Sequence, residues 1–426
     1  MRLILIDRPT PQRRNFYPLA LSRPIWELRC GMTSLGEKLF DRVRPAEVAC
    51  FLPPYLAGVW RPGWPVNDIK SLSGADLLVV DARVKAASLP KLDEGPSRVF
   101  LDADGEVLAA RIVREDLAKF GADSIDALLL WAKQNLPPAD TKLPTWNYIW
   151  DLILANPAQL TEDFQTAGRS GIDTEAKVEE PSAIRGSRND IFVGRGAKIH
   201  PMVVLDAERG PIFIDVGAEI HPFSRIEGPC YIGRNSILLG AKCREGNSIG
   251  PMCRIGGEVE ESIIQGYSNK YHDGFLGHAY VGQWVNLGAL TTNSDLKNDY
   301  SDVKITLDGR TQLPTGSTKV GALIGDHTKT SIGTLLNTGT YVGAMTLLVT
   351  NGKLLPKFIP SFAWYLNDTI SQGTGKAPLY ATARTAMERR KCPWTEADEA
   401  MWNAVYEITA EERENAIERS MRRIGK

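Results

Sequence analysis

Between Ile214 and Leu238 an aliphatic side chain returns at every sixth position: Ile214, Ile220, Ile226, Ile232 and Leu238. Four residues after each of the first four stands a small one: Ala218, Ser224, Cys230 and Ser236. Val193, Ile199 and Leu205 keep the spacing upstream, and the pairs Ile249/Ile255 and Val281/Leu287 keep it downstream. An α-helix repeats every 3.6 residues and a strand every 2, so neither accounts for a period of six. A hexapeptide β-helix does. Each six-residue unit is one flat side of a triangular coil, with the aliphatic residue pointing inward and the small one near a corner. The 38 glycines, which follow no period of three and so exclude collagen, suit such corners together with asparagine. The alternative is a β-sandwich with coincidental spacing.

The register breaks over 293–317, a polar stretch holding Asp295, Lys297, Asn298, Asp299 and Asp302, and resumes at Val320. This predicts a loop thrown out from the coil, and long ordered loops on repeat scaffolds usually serve a function. Coil signals continue through Ile324, Ile332 and Val342 and stop near Pro356 and Pro360. Beyond Pro378 the composition turns helical, with Thr395 and Asp398 spaced as an N-cap and an acidic first turn. Upstream, Leu3–Ile6 and Leu77–Val80 are short apolar runs closed by Asp7 and Asp81, as buried parallel strands are. Helical patterns cover 34–43, 123–134 and 150–164. The chain thus divides into an α/β domain over 1–175, a β-helix over 176–360 and a helical tail over 361–426, a cap or oligomer contact.

Charge narrows the partners. Lys plus Arg number 50 against 51 Asp plus Glu, so the basic surplus needed to coat nucleic acid or anionic lipid is missing. No run is long and apolar enough for a membrane span. The six cysteines show no CxxC pairing, which argues against a zinc knuckle and for reduced thiols in the cytoplasm.

All five histidines (His200, His221, His272, His278 and His327) lie in the repeat region, so a histidine base would act there. His272 stands in the stretch Gly266-Tyr-Ser-Asn-Lys-Tyr-His-Asp-Gly-Phe-Leu-Gly, followed by Asn286-Leu-Gly-Ala. This stretch resembles the acetyltransferase half of the bifunctional bacterial enzyme that makes UDP-N-acetylglucosamine, with its His-x-x-Tyr-Leu-Gly motif. His272, Leu276 and Gly277 match the motif, and Phe275 replaces its tyrosine. A variant GlmU-like branch of sugar nucleotidyltransferases matches more of the chain. Its features resemble Asn293-Ser-Asp-Leu-Lys-Asn, Gly325-Asp-His-Thr-Lys, Leu336-Asn-Thr-Gly-Thr, Pro18-Leu-Ala-Leu-Ser-Arg-Pro-Ile-Trp-Glu-Leu-Arg-Cys-Gly and Trp146-Asn-Tyr-Ile-Trp-Asp-Leu.

The resemblance implies an α/β nucleotidyltransferase-like (Rossmann-like) domain followed by a left-handed parallel β-helix and a C-terminal helical segment. It implies transferase activity in sugar-nucleotide biosynthesis, with acetyl-CoA as acyl donor and Mg²⁺ with an NTP as nucleotidyl donor. His272 would be the general base, since an imidazole titrates near neutrality. Lys270, Asn286 and Asn293 would position the acceptor. The backbone at Ala289 and Thr334 would line the CoA groove, in a homotrimer with small-molecule partners only.

In the first domain the family's Gly-rich phosphate loop corresponds to 8–17, which contains no glycine, and its lysine after a proline corresponds to Ile25. Arg13, Arg14 and Arg23 are candidates for clamping phosphates, and Asp81 stands at the place of a metal-binding aspartate. The competing reading makes these arginines surface charges and Asp81 a turn residue. Three functions follow: a bifunctional transferase, a nucleotidyltransferase whose β-helix serves assembly and regulation, or a non-catalytic sugar-nucleotide-binding scaffold.

Overall fold

The strand Arg2–Ile6 is apolar at every position after the first because both of its faces are covered. Leu3, Ile4, Leu5 and Ile6 are all fully buried. In a computed structural model that describes residues 1–60, 63–92, 94–121 and 123–424, this strand lies in a five-stranded sheet. The sheet order is Glu47–Phe51, Arg2–Ile6, Leu77–Asp81, Val107–Ile112, Arg98–Leu101. The first three strands are parallel, and Val107–Ile112 is antiparallel to both of its neighbours. Ile6 pairs with Asp81, so Asp7 and Asp81 stand side by side at the carboxyl edge, where α/β sheets bind ligands. Ser34 opens the helix Leu35–Val43 with a capping box closed by Glu37.

Two compact units share the chain. The first comprises Met1–Phe16, Ser22–Leu28 and Thr33–Tyr148; the second comprises Tyr17–Leu21, Arg29–Met32 and Ile149–Lys426. The longest segment of the second unit begins with the helix Ile149–Ala167. Its first coil strand is Gly171–Ile172, a few residues ahead of the boundary at 176 expected from the sequence.

One face of the coil is a ladder of ten parallel strands, from Gly171–Ile172 through Tyr280–Gln283 to Phe358–Ile359. The residues that recur every sixth position fill its interior: Ile214, Ile220, Ile226, Ile232 and Leu238 are all fully buried. The small residues have a second reason to be there. Ser236 Oγ donates to the Gly250 carbonyl and accepts from Cys253 N–H on the next turn, and Ser268 does the same with Gly282 and Val285. A hydroxyl at that depth joins two turns and leaves no polar group unsatisfied.

The corners depart from the glycine-and-asparagine expectation. Tyr267, Trp284, His327, Met345 and Phe362 all take left-handed backbone with φ between 54° and 61°. For residues other than glycine this costs about 1–2 kcal/mol each. Contact along the corner offsets that cost: Tyr267 stacks on Trp284 at 4.5 Å, and His327 meets Trp402 at 5.5 Å. Trp402 belongs to the C-terminal helices Lys376–Glu388, Glu396–Ile408 and Ala410–Ile424, which pack along this column; Tyr406 reaches Phe362 at 5.1 Å. Thr395 and Asp398 form the capping box that starts the second of these helices.

The segment 293–317 leaves the coil as expected. Its hairpin pairs Lys304–Thr306 with Gln312–Pro314, and its base is closed where Val320 N–H donates to the Asp295 carbonyl. The coil itself runs on to Trp364–Leu366, past the 360 boundary expected for the tail.

Candidate functional site

His272 is exposed on the corner between the coil strands Asn269–Lys270 and Phe275–Gly277. Three contacts fix its backbone. The buried Lys270 Nζ donates to the His272 carbonyl at 2.9 Å and to the Gly256 carbonyl at 2.7 Å. Leu290 N–H on the next turn donates to the Asp273 carbonyl at 2.8 Å. Gly274 has φ +129°, and a Cβ there would lie 2.2 Å from the Thr291 oxygen, so only glycine lets the turns approach this closely. The imidazole is thus exposed on a fixed backbone, beside the Tyr271 ring at 5.8 Å. Burial pulls the Lys270 ammonium down to about 8. One carbonyl partner, His272, lies in its own turn and the other, Gly256, on the preceding turn, so it braces the corner that carries His272.

The other expected site residues divide. Asn286 is exposed, accepts from Asn269 Nδ2 at 3.2 Å and lines a cavity of about 480 Å³. That cavity lies between the coil and the helix Lys376–Glu388; its wall includes Tyr267, Trp284, Lys329, Arg389 and Arg390. Lys329 Nζ donates to the Trp284 and His327 carbonyls, and burial pulls its ammonium down to about 8. Arg390 donates to Asn269 Oδ1 at 3.0 Å. Asn293 is 1% exposed: its amide receives Gly277 N–H and donates to the Gly277 carbonyl, both at 2.9 Å, so it joins two turns and presents nothing outward. Thr334 is fully buried with its hydroxyl on the Ser331 carbonyl, and the half-buried Ala289 gives its carbonyl to Gly333 N–H. The Thr334 carbonyl likewise accepts from Thr292 N–H on the adjacent strand.

One buried charge cluster went unassigned in the sequence. His278 Nδ1 lies 2.8 Å from Asp295 Oδ2 and its Nε2 3.2 Å from Glu261 Oε2. Burial alone would push this imidazole down, but the two carboxylates outweigh it and hold it up at about 9. The available signal was spacing: His278 and Asp295 are 17 residues apart, the same step as Ser236 to Cys253 and Ser268 to Val285 on adjacent turns.

At the sheet edge of the first unit the candidate groups are committed to each other. Arg13 is 2% exposed; its Nε lies 3.0 and 3.1 Å from the two Asp7 oxygens, and its Nη atoms reach Tyr55 Oη and the Arg23 carbonyl. Residues 11–16 form a 3₁₀ turn held by this pair, where a phosphate loop would need bare backbone. Arg13 is therefore a structural ion-pair partner and leaves no donor fork for a phosphate. Arg23 is 6% exposed, and of the three arginines only Arg14 is open to solvent.

Asp81 receives Arg83 Nε on one oxygen at 2.9 Å and Nη2 on the other at 3.2 Å. Magnesium takes carboxylate oxygens in a near-octahedral shell, and both Asp81 oxygens are already engaged. As arranged, these residues do not fit a resident Mg²⁺. Replacing Arg13 with Lys keeps the charge but loses the fork. The expected result is a loss of about 2 kcal/mol in urea unfolding of the chain; an unchanged midpoint would contradict the structural role.

Residues 3–170 match the family model described as sugar nucleotidyl transferase. A bifunctional sugar-1-phosphate nucleotidylyltransferase/acetyltransferase of Sulfurisphaera tokodaii is 34% identical over 87 residues, 20% of this chain and 21% of the relative. The bifunctional protein GlmU of Rippkaea orientalis is 29% identical over 128 residues, 29% of this chain and 26% of the relative. That of Synechococcus elongatus is 26% identical over 214 residues, 50% of this chain and 40% of the relative. The chain thus spans less than half the length of these curated relatives. Among solved structures, a UDP-N-acetylglucosamine acyltransferase of Francisella novicida aligns at 14% identity and a TM-score of 0.29, covering 60% of this chain and 89% of the other. The chain is thus similar to sugar nucleotidyl transferases over residues 3–170 and to the bifunctional GlmU proteins over up to half of its length.

Proposed function

We propose that the coil catalyses acyl transfer from acetyl-CoA to the amino nitrogen of a sugar phosphate, with His272 as general base. The observation that carries this reading is an exposed imidazole on a corner whose backbone is fixed from three sides, inside the His-Asp-Gly-Phe-Leu-Gly stretch. In the reaction the amine nitrogen attacks the thioester carbonyl, His272 takes the departing N–H proton, the C–S bond breaks, and that proton passes to the departing thiolate so that CoA leaves as its thiol. A fixed backbone under an exposed ring holds the base within reach without burying it. The cavity at Asn286 suits the nucleotide end of acetyl-CoA, because aromatic rings line it together with Lys329, Arg389 and Arg390. The names of the relatives support the same chemistry. The reading carries with it a homotrimer in the cytoplasm and UDP-N-acetylglucosamine as the class of end product.

The test is thiol release from acetyl-CoA with a panel of amino-sugar phosphates. Substituting Arg389 with Ala should raise the KM for acetyl-CoA about tenfold with little change in kcat, the signature of lost ground-state binding. An unchanged KM would remove the cavity from the account.

A second reading, nucleotidyl transfer by residues 3–170, is favoured by the family match and opposed by the Asp7–Arg13 and Asp81–Arg83 pairs. Pyrophosphate release from UTP or dTTP with sugar 1-phosphates and Mg²⁺ tests it.

A further inference from the structure

The early turns of the coil carry a histidine cluster that neither acyl transfer nor nucleotidyl transfer uses. The strands Lys177–Val178, Lys198–Ile199 and Glu219–Ile220 lie on successive turns, with Val178, Ile199 and Ile220 in register inside. The residues just beyond them, Glu179, His200 and His221, therefore stack on the outer face. Glu219, two residues before His221, shares that face.

The distances converge on one point. Glu219 Oε1 lies 2.8 Å from His200 Nε2 and 3.7 Å from His221 Nε2, and the three side chains offer ligand atoms all within 4.8 Å of one another. Tetrahedral Zn²⁺ with bonds of about 2.0–2.1 Å sets its ligand atoms about 3.3 Å apart, midway between the two separations. The imidazole planes stack with centroids 4.9 Å apart and 26° between them. The far nitrogen of His200, Nδ1, faces Glu179 Oε2 at 3.3 Å. A carboxylate behind a ligating imidazole fixes the ring's orientation and tautomer and raises its basicity. His200, Glu219 and His221 are a quarter to a third exposed, which leaves an entry path and room for water in a fourth position.

We propose that His200, Glu219 and His221 form a divalent transition-metal site of the zinc class, with Glu179 as the positioning residue behind His200. Two imidazoles and one carboxylate suit Zn²⁺ and its spectroscopic stand-in Co²⁺ better than Mg²⁺ or Ca²⁺, which prefer all-oxygen shells. The bound ion would tie two adjacent turns near the start of the coil.

The experiment uses the full chain stripped with a chelator and then titrated with CoCl₂ and ZnCl₂. The expected result is one equivalent of Co²⁺ giving the strong visible bands of tetrahedral coordination, displaced by Zn²⁺, with a rise in Tm. The His200→Ala and His221→Ala variants should each lose those bands, with far-UV circular dichroism unchanged because both side chains lie on the surface. Glu179→Gln should keep the stoichiometry and weaken affinity about 10–100-fold. Absence of a one-equivalent transition, or bands that persist in the doubly substituted chain, would overturn the proposal.

Discussion

Replacing His272 with Ala should lower acetyl transfer about 10²–10⁴-fold, the usual contribution of a positioned general base, while leaving the chain folded. The separation of activity from stability follows from the geometry. The His272 side chain is exposed, and the part of the residue that the fold uses is its carbonyl, which accepts from Lys270 Nζ and survives the substitution. The KM for acetyl-CoA should stay within a few fold, because the cavity proposed to hold the nucleotide is built from other residues. A variant that loses activity only by unfolding, or one that transfers acetyl at the wild-type rate, would contradict the assignment. Lys270→Met is a useful companion: it keeps His272 but frees the corner. It should therefore lower kcat and also disturb packing, which His272→Ala should not do.

The second large effect concerns stability. His278 is held up at about 9, against 6.5 for an unperturbed imidazole, by Asp295 and Glu261. The folded chain therefore binds this proton more tightly than the unfolded chain does. The resulting stabilisation is fully present below about pH 6.5 and is lost as the pH rises through 9; over that window it amounts to about 3 kcal/mol. The buried Lys270 and Lys329, both pulled down to about 8, act in the opposite sense, since folding becomes easier as they lose their protons. Comparing the wild type with His278→Gln at each pH isolates the histidine. The variant should be less stable by about 3 kcal/mol at pH 6.5, because it leaves two carboxylates facing each other without a cation, and the gap should close by about pH 9. A gap that stays constant from pH 6.5 to 9 would show that His278 is neutral in the folded chain.

The coil was legible in the sequence because its inward positions obey a single rule. Every sixth residue sees the same interior, so Ile214 through Leu238 repeat without exception. The ejected segment was legible for the converse reason: 293–317 has no inward-pointing series. The outer positions obey local contacts instead. Ile332, which reads as a coil signal, sits on a corner and is 74% exposed, and the left-handed corners take Tyr267, Trp284 and Phe362 because neighbouring rings and the C-terminal helices cover them. The first turn keeps the six-residue step at Ile172, Val178 and Ile184 but is only partly buried, with Ile172 42% exposed. Residues 29–32 could not be assigned by adjacency: Arg29 N–H donates to Tyr280 Oη at 2.8 Å, and Met32 N–H donates to Asp163 Oδ2 at 2.7 Å, across long sequence separations. The same limit hid the commitments of Arg13 and Asp81. An arginine near a strand end reads as a phosphate clamp until its carboxylate partner is known, and that partner is a matter of packing.

The most direct test of acyl transfer by the coil is the fate of the acyl group. The full chain is incubated with acetyl-CoA and each of several amino-sugar phosphates, and the acceptor is then analysed by mass spectrometry alongside free thiol. The predicted result is an acceptor carrying one acetyl group on nitrogen, with one CoA thiol released per product formed and neither appearing with the His272→Ala chain. Acetylated product from that variant at the wild-type rate, or no product from any amino-sugar phosphate with the wild-type chain, would contradict the account.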